Sequence, residues 1–283
     1  MQRTITIAAD DFGLTRGITD TILETVDRGS VTLVSVIPNG EAVEYAIEEY
    51  KKRSEYLMLI AHLNLTEGPA LSTVRDIPLL VDSTGKFRHG VVGLWIAYLI
   101  AGSRVRSRFR EQILLEITTQ LARIKEVSGL KKIAINSHQH VHLIPFVFNE
   151  LVKIPGVTRI RTVREPFQWS WSFISILARL MLALLSNRAA RIARLHNITT
   201  NDSFIGFTHS RCMTPNVFRT GLARAKGFIE ASFHPGSATK GELSSWQGSR
   251  ANIAWHYSLW RAKEREMLLH PRFLADLEMY RGA

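Results

Sequence analysis

Short apolar runs alternate along the chain with segments of helical periodicity, and this alternation predicts the order of the secondary-structure elements. Six of the runs are rich in Ile, Val or Leu and end in polar residues, which is typical of buried strands. These runs are TITIAA (4–9), VTLVSVIP (31–38), YLMLIAHLNL (56–65), KIAINSHQHVHL (132–143), RIRTVREP (159–166) and FIEASFHPG (228–236). Because mostly apolar strands are buried on both faces, we expect them to form a parallel sheet.

Two of the intervening segments carry helix end signals. TRGITDTILETVDRG (15–29) begins at Thr15, a residue type that caps helix N-termini, and stops at Gly29. SRFREQILLEITTQLARIKEVSG (107–129) has apolar residues at helical spacing and also ends at a glycine. Alternating strands and helices predict a parallel α/β fold, either doubly wound or closed as a barrel.

Length and composition favour one domain. The chain has 283 residues, of which 46% are hydrophobic, and no repeat or linker separates its halves, so we expect a single domain over 1–283. The only cysteine, Cys212, excludes an internal disulfide and a cysteine-based zinc site, and a bound metal would therefore rest on His and carboxylate ligands. The N-terminal sequence reaches acidic residues too early for a secretory signal, and we expect a cytoplasmic protein.

The chain is strongly basic, with a formal net charge of +11, which invites either nucleic acid or an anionic membrane surface as a partner. Its basic clusters lie at 103–110, 131–132 and 187–196, and two of the three directly follow long apolar stretches. A nucleic-acid surface would interleave aromatic residues instead. The pattern favours peripheral contact with the inner face of a membrane and no nucleic-acid partner.

The two apolar and basic stretches, at about 87–110 and 167–196, are predicted to be helical cap segments. In the second, residues 167–185 contain only one charged residue, Arg179, and are almost long enough to span a bilayer. Three serines, a glutamine and Arg179 argue against a span, so an interfacial helix fits better. The alternative is that both stretches are ordinary core or cap helices.

Polar residues follow almost every predicted strand, at the sheet edge where α/β folds place their chemistry. Asp10 and Asp11 follow the first strand and can reach one pocket with different neighbours, although an aspartate before a helix can also be a cap. His62 ends the third run and Asn64 lies just beyond it. A lone histidine at such a position is more often structural than a ligand.

The densest cluster of histidines is in NSHQHVHLIP, where His138, His140 and His142 repeat with a period of two. On an extended strand this period puts all three side chains on one face, and a divalent cation would keep such close imidazoles neutral. A surface cluster is the alternative. The flanking apolar sequence favours a metal or a catalytic role.

Two further strand ends offer an acid and a cation. His234 precedes Pro235 and Gly236, and alternation puts Glu230 on its face, where Glu230 could orient it as a general acid. Arg164 could hold Asp10 ionised and oriented, or it could be an exposed cation. The alternative for His234 is a histidine of a turn.

A carboxylate and two histidines form a three-ligand metal site with open positions, beside which a second carboxylate can act as a base and a separate histidine as an acid. Such a set hydrolyses amides or esters, since the metal polarises the carbonyl group and lowers the pKa of its water. No G-x-S-x-G motif or glycine-rich phosphate loop suggests another chemistry.

The ordered motifs AADDFG, HLNLTEG, SHQHVHLIP, VREP and EASFHPG resemble those of the YdjC-like carbohydrate deacetylases, over residues 1 to about 240. The resemblance implies a (β/α) barrel of the glycoside hydrolase/deacetylase type, which can be irregular and seven-stranded. It also implies removal of an N-acetyl group from an N-acetylglucosamine-type sugar with the help of one divalent metal ion. We expect this ion to be Zn²⁺ or Mg²⁺, with Mn²⁺, Co²⁺ and Ni²⁺ as alternatives.

The resemblance assigns roles by motif. Asp10 is implied to be the general base, Asp11, His62 and His138 the metal ligands, His234 the acid or transition-state stabiliser, and Arg164 the residue that steadies Asp10. Asn64, His140 and His142 are implied to line the substrate pocket, with His140 or His142 as an alternative ligand to His138. Asn136 stands before SH, where the family is expected to have an aspartate more often. Whether Asn136 supports a metal ligand is therefore left open by the resemblance.

The cap segments bear on the substrate. An apolar cap over the pocket suits a sugar attached to a lipid, and the chain is similar here to the hopanoid-biosynthesis-associated members of the family. A soluble chitooligosaccharide or related N-acetylated sugar is the alternative substrate. A basic nucleic-acid-binding protein and a membrane adaptor without activity are further alternatives, and the complete acid, base and ligand set disfavours the adaptor.

Overall fold

Seven parallel strands form one curled sheet in the computed structural model, which describes residues 3–168, 173–210, 213–244, 246 and 250–281. The order across the sheet is β5-β4-β3-β2-β1-β7-β6, so the first strand lies near the middle. The strands are β1 (Thr4–Phe12), β2 (Leu33–Val36), β3 (Met58–Leu63), β4 (Ile133–Ser137), β5 (Val157–Ile160), β6 (Ser203–Ile205) and β7 (Phe228–Phe233). A short additional strand, β8 (Lys240–Leu243), lies outside this sheet.

The sheet curls until its two edges approach each other. An isolated parallel bridge joins Arg159 of β5 to Thr199, just before β6, and the backbone N–H of Phe204 in β6 donates to the carbonyl of Arg164. The prediction of an irregular, seven-stranded (β/α) barrel is therefore confirmed. The curl brings the carboxyl ends of all seven strands around one mouth.

Helices flank the sheet along the chain. They are α1 (Arg16–Asp27), α2 (Val43–Lys51), α3 (Val91–Ile100), α4 (Ser103–Ser128), α5 (Pro145–Leu151), α6 (Phe173–Leu195), α7 (Pro215–Arg224), α8 (Arg250–His256), α9 (Leu259–Leu269) and α10 (Pro271–Arg281). Both helix end signals are confirmed: Thr15 caps α1 by accepting from the N–H of Ile18, and α4 ends at Gly129, whose φ of 79° is left-handed. Helix α4 begins at Ser103, earlier than residue 107, where its sequence pattern starts.

The histidine-rich segment differs from its prediction. Strand β4 ends at Ser137, and residues His138–Leu143 form a short 3-10 helix in which Gln139 and His140 have positive φ values of 52° and 55°. The Ser137 hydroxyl closes this turn by accepting from the backbone N–H of His142. The expectation that three histidines share one strand face is therefore wrong.

Strand β1 runs through the two aspartates. Its pairing with β2 shifts register between Ala9 and Phe12, and Asp11 has a left-handed φ of 67°. Side chains of adjacent strand residues normally point to opposite faces. The irregularity allows Asp10 and Asp11 to face the same mouth.

Both predicted cap segments contain helices. Helix α3 carries the apolar part of the first and α6 most of the second, whereas residues 169–172 of the second segment lie outside the described residues. Within the described part of the chain, no helix has the length and apolarity needed to cross a membrane.

Candidate metal centre and catalytic site

Asp11, His62 and His138 converge at the mouth of the sheet from three different elements. The Oδ1 atom of Asp11 lies 3.6 Å from Nε2 of His62 and 3.4 Å from Nδ1 of His138. All three side chains are buried. The three predicted metal ligands are thus brought together as one group of potential ligand atoms.

The geometry of this cluster fits a divalent cation better than hydrogen bonds. Within the described chain, Oδ1 of Asp11 and Nε2 of His62 are buried without a hydrogen-bond partner, a costly state unless another group occupies the space between them. Ligands about 2.1 Å from one cation stand roughly 3.0–3.4 Å apart, close to the separations observed. Two imidazoles and a carboxylate are a donor set typical of Zn²⁺, with other divalent ions compatible.

The tautomer of His62 is fixed by Asn136. The amide nitrogen of Asn136 donates to Asp10 and to Ser35, so its oxygen accepts from Nδ1–H of His62 at 2.8 Å. The other ring nitrogen, Nε2, therefore presents a lone pair to the cluster, and burial lowers the pKa of His62, which favours the neutral ring. Asn136, whose role the sequence left open, therefore supports both His62 and Asp10 through hydrogen bonds.

His138 lies between two carboxylates. Its Nδ1 faces Asp11, and its Nε2 lies 3.3 Å from Oε1 of Glu67. Burial lowers the pKa of His138, but Glu67 and Asp11 outweigh it and raise the pKa to about 10. The pocket thus attracts positive charge at this ring, and a proton and a divalent cation compete for it.

Asp10 is held ionised by a cage of donors. Burial raises the pKa of Asp10, but the Arg161 guanidinium, together with His62 and His234, outweighs burial and holds the pKa well below its usual range. The pair with Arg161 is bidentate, with Nη1 2.6 Å from Oδ2 and Nη2 2.9 Å from Oδ1. The remaining donors are Ser35, Asn136 and Ser232.

The residue that steadies Asp10 is therefore Arg161, and the prediction of Arg164 is wrong. Arg164 is half-buried and points elsewhere, donating to Thr162, Thr200 and the carbonyl of Asn201. Strand β5 ends at Ile160, so Arg161 is the first residue beyond it, and its backbone N–H still bonds to Ile135 of β4. The predicted strand continued through the motif VREP to residue 166, whereas β5 ends at Ile160.

His234 lies at the end of β7, with Nε2 4.0 Å from Oδ2 of Asp10. The predicted alternation of strand β7 is confirmed by Ser232, which donates to Asp10. Glu230, however, does not orient His234, because its carboxylate binds Nε of Arg161 at 2.5 Å. Burial lowers the pKa of His234 to about 4, with Asp11 and Asp10 opposing the shift, so the ring is neutral at pH 7 in the cation-free protein.

The three predicted pocket residues separate into one that lines the cavity and two that support it. His140 lines the cavity. Asn64 is buried in the turn after β3, where its amide accepts from and donates to the backbone of Glu67. His142 is fully buried between the Ser137 hydroxyl and the carbonyl of Arg161, to which its Nε2 donates at 2.8 Å. Asn64 and His142 do not line the cavity, because the amide of Asn64 bonds to the turn around Glu67 and the ring of His142 bonds to the Ser137 hydroxyl and the Arg161 carbonyl.

The site opens into a cavity of about 400 Å³. Its floor carries Asp10, His62, His138 and His234, and one wall is apolar. That wall consists of Val91 of α3 with Ala178, Met181 and Leu182 of α6. Aromatic residues of the cavity are Phe204, Phe207 and Trp255. A polar floor with an apolar wall suits a ligand with a polar reacting end and an apolar remainder.

Sequence reasoning missed the contribution of the C-terminal helices. Arg261 of α9 donates to Oδ2 of Asp11 at 2.7 Å and to the carbonyl of Gly236, and Glu264 accepts from the backbone N–H of His234 at 2.5 Å. Burial raises the pKa of Asp11, but Arg261, together with His138 and His234, outweighs burial and holds the pKa well below its usual range. Arg161 and Arg261 thus each neutralise one of the adjacent aspartates.

The fold and the site define an irregular parallel α/β barrel protein with a buried Asp/His/His cluster at the carboxyl ends of its strands. A family model described as YdjC-like protein matches residues 4–279, and the chain belongs to that family.

Similar proteins support the assignment. The chain is 32% identical to a carbohydrate deacetylase of Mus musculus over 252 residues, which is 86% of this chain and 77% of that protein. It is also 32% identical to a chitooligosaccharide deacetylase of Escherichia fergusonii, over 52% of this chain and 54% of that protein, so it spans about half the length of this relative. In fold it resembles a crystal structure described as a proposed cellobiose-phosphate cleavage protein from Enterococcus faecalis V583, with a TM-score of 0.67 at 19% identity, over 99% of this chain and 95% of that one.

Proposed function

We propose that the protein is a metal-dependent hydrolase that removes the N-acetyl group from an N-acetylglucosamine-type sugar. The observation that carries the proposal is the Asp11, His62 and His138 cluster, with its orphaned buried atoms, next to a caged Asp10 and His234 in one cavity. The names of the two curated relatives, a carbohydrate deacetylase and a chitooligosaccharide deacetylase, support the same activity.

Asp11, His62 and His138 would hold one divalent cation. When bound, the cation would polarise the acetamide carbonyl group and acidify water. Asp10 lines the cavity with its Oδ2 atom 4.0 Å from Nε2 of His234, and it would accept the proton of the attacking water, while Arg161 fixes the carboxylate and its charge. His234 is neutral at the outset, so the proton that Asp10 takes from the attacking water would pass to Nε2 of His234, 4.0 Å from Oδ2 of Asp10, and from there to the leaving amine as the C–N bond breaks and acetate forms.

Acetate release tests this proposal. The purified protein, loaded in turn with Zn²⁺, Mg²⁺, Mn²⁺, Co²⁺ or Ni²⁺, is incubated with soluble N-acetylglucosamine oligomers and with lipid-linked N-acetylglucosamine, and acetate and the free amine are quantified by mass spectrometry. We expect acetate and amine in equal amounts, dependent on added cation. Absence of release from every substrate with every cation would contradict a deacetylase.

We further propose that the sugar is linked to a lipid, such as a hopanoid, and that the protein works at an anionic membrane surface. The support is a rim of exposed apolar side chains on the two helices that form the apolar wall. On α3, Ile96 is 52% and Ile100 81% exposed, and on α6, Leu177 is 58% and Leu184 71% exposed. We call this surface the apolar rim; its members are Val92, Ile96, Leu99 and Ile100 of α3 and Leu177, Leu180, Met181 and Leu184 of α6.

Basic residues adjoin the apolar rim at both helices. Arg104, Arg108 and Arg110 follow α3 and are exposed, and Arg191 and Arg194 are exposed in the last turns of α6. Each such cation near an anionic bilayer contributes on the order of 1 kcal/mol of attraction. This arrangement supports the proposal of a cytoplasmic protein bound peripherally at the inner face of the membrane, whereas a soluble chitooligosaccharide would make no use of the rim.

The triple variant Leu177→Ser/Leu180→Ser/Leu184→Ser separates the two substrates, since none of these leucines lines the cavity. At about 1 kcal/mol for each leucine removed from the bilayer, we expect roughly 100-fold weaker binding to vesicles of phosphatidylglycerol and phosphatidylcholine. Turnover of lipid-linked substrate in those vesicles should fall accordingly, with soluble turnover unchanged. Leu259→Ser, which removes a leucine that is 79% exposed on α9, is the control. Equal loss on both substrates would contradict the lipid-linked assignment.

A further inference from the structure

Glu67, in the motif HLNLTEG, is a fully buried carboxylate that the proposed reaction does not use. Its Oε1 atom lies 3.3 Å from Nε2 of His138 and accepts from the amide of Gln139. Its Oε2 atom accepts from Nε1 of Trp246 at 3.1 Å and lies 3.2 Å from Nε2 of His256. A buried ionised group with partners on both oxygens is held in one orientation.

The position of Glu67 relative to His138 is that of a carboxylate behind a metal-bound imidazole. One nitrogen of His138, Nδ1, faces Asp11 in the ligand cluster, and the opposite nitrogen, Nε2, faces Glu67 at 3.3 Å without a hydrogen bond to any described residue in the cation-free protein. A histidine that binds a cation through one nitrogen carries its proton on the other, and a carboxylate that accepts this proton fixes both the tautomer and the ring plane. His138 needs such support more than His62 does, because it lies in the 3-10 helix and not on a strand.

We infer that Glu67 is a positioning residue that holds His138 for the cation, and that the C-terminal segment holds Glu67 through Trp246 and His256. This inference rests on the proposed cation site formed by Asp11, His62 and His138. Glu67 contributes no ligand atom in this arrangement.

The local sequence is built to keep Glu67 in place. Asn64 accepts from the backbone N–H of Glu67 and donates to its carbonyl at 2.7 Å, which fixes the turn after β3. Gly68 has a left-handed φ of 69°, and a Cβ atom there would lie 2.5–2.7 Å from three atoms of the Trp246 indole ring. A glycine at this position is therefore required for the indole N–H to reach the carboxylate.

The same atoms could instead form a second cation site, because Glu67, His138 and His256 are within ligand distance of one another. If this second site fills in addition to the Asp11 cluster, His138 serves two cations through its two nitrogens and two ions are bound. If it fills instead of the Asp11 cluster, one ion is bound and Asp11→Asn leaves its affinity unchanged, whereas the positioning role predicts one ion that Asp11→Asn weakens strongly. The ion count together with Asp11→Asn distinguishes these cases.

The test measures cation binding directly, with Zn²⁺ as the probe. Wild type, Asp11→Asn, Glu67→Gln and Trp246→Phe are titrated against a chromophoric chelator, and bound zinc is counted by elemental analysis after dialysis. We expect one ion per wild-type chain, an affinity that is about 10- to 100-fold weaker in Glu67→Gln, and a smaller weakening in Trp246→Phe, which loses only the indole N–H. Glu55→Gln, which removes an exposed carboxylate, should bind like wild type.

Circular dichroism and the thermal midpoint of the cation-free proteins show whether each variant is folded, and Trp246→Phe carries the test if Glu67→Gln does not fold. A wild-type chain that binds no divalent cation overturns the proposed function itself. If wild type binds zinc and folded variants bind it equally well, the positioning role alone is overturned. Two ions in wild type and one in Glu67→Gln would make Glu67 a ligand, which also overturns the positioning role.

Discussion

Replacement of Asp10 by Asn is expected to lower kcat by at least about 100-fold, the lower end of the range for loss of a general base. The lower end applies because the donors around Asp10 hold its pKa well below the usual range, and a carboxylate of low pKa is a weak base. The affinity for the divalent cation should change little, since Asp11 and not Asp10 belongs to the ligand cluster.

The measurement is steady-state acetate release together with zinc affinity and the thermal midpoint. Asp20→Asn, which removes an exposed carboxylate from α1, is the matched control and should leave all three unchanged. Persistence of wild-type turnover in folded Asp10→Asn would show that another group takes the proton. Loss of zinc together with turnover would instead place Asp10 among the ligands.

Replacement of Arg161 by Met is expected to lower the free energy of unfolding by about 3–5 kcal/mol, the cost typical of breaking a buried ion pair from one side. Arg161 is fully buried between Asp10 and Glu230, with 2.6 Å and 2.5 Å contacts. Its removal leaves two buried carboxylates without their counter-charge. Urea unfolding at pH 7 measures the loss, and turnover should fall as well, because Asp10 is no longer held in place.

Two further variants make this prediction specific. Arg164→Met removes a half-buried cation whose hydrogen bonds within the described residues go to neutral groups, with Asp202 as a nearby charge, so it should cost no more than about 1–2 kcal/mol. Adding Glu230→Gln to Arg161→Met removes one of the stranded charges and should recover part of the stability. Equal costs for Arg161→Met and Arg164→Met would contradict the pairing seen in the structure.

The pairing of Asp10 with Arg161 makes the protein less stable at acidic pH. The pKa of Asp10 is lower in the folded protein than in the unfolded chain, so the stability that Asp10 contributes is fully present above the unfolded value of about 3.9. It is lost as the pH falls from there through the folded value. In Arg161→Met the pKa of Asp10 in the folded protein rises towards its unfolded value. The free energy of unfolding of this variant should therefore depend less on pH below about 4.

Much of the barrel could be predicted because its signals are local. All six apolar runs overlap a strand of the sheet, although the run at 159–166 shares only residues 159–160 with β5, and Thr15 and Gly129 mark helix ends where the pattern places them. Strand β6 was missed because it has only three residues, too few for a periodic signal. The histidine segment was misassigned because a period of two also occurs by chance in a turn, here closed by the Ser137 hydroxyl.

The candidate site shows the same division between local and distant signals. Asp10, Asp11, His62, His138 and His234 come together, as expected of side chains at the carboxyl ends of parallel strands. Arg161 could not be told from Arg164, because the choice depends on where β5 ends. Glu67 lies in the motif HLNLTEG, but its role could not be inferred from it, because its partners Trp246 and His256 come from the C-terminal segment. Arg261 and Glu264 lie outside every motif, and their partners are fixed by how the C-terminal helices pack on the barrel.

The pairing of Asp11 with Arg261 determines when the centre can be completed during synthesis. The two residues are 250 positions apart, and at about 5–20 residues per second the second leaves the ribosome roughly 10 to 50 seconds after the first. During that interval the nascent barrel carries an aspartate at its mouth without its counter-charge. The complete site can therefore form only after residue 261 has been synthesised. Because contacts between residues this far apart in sequence form slowly, their formation should limit how fast newly made chains become active.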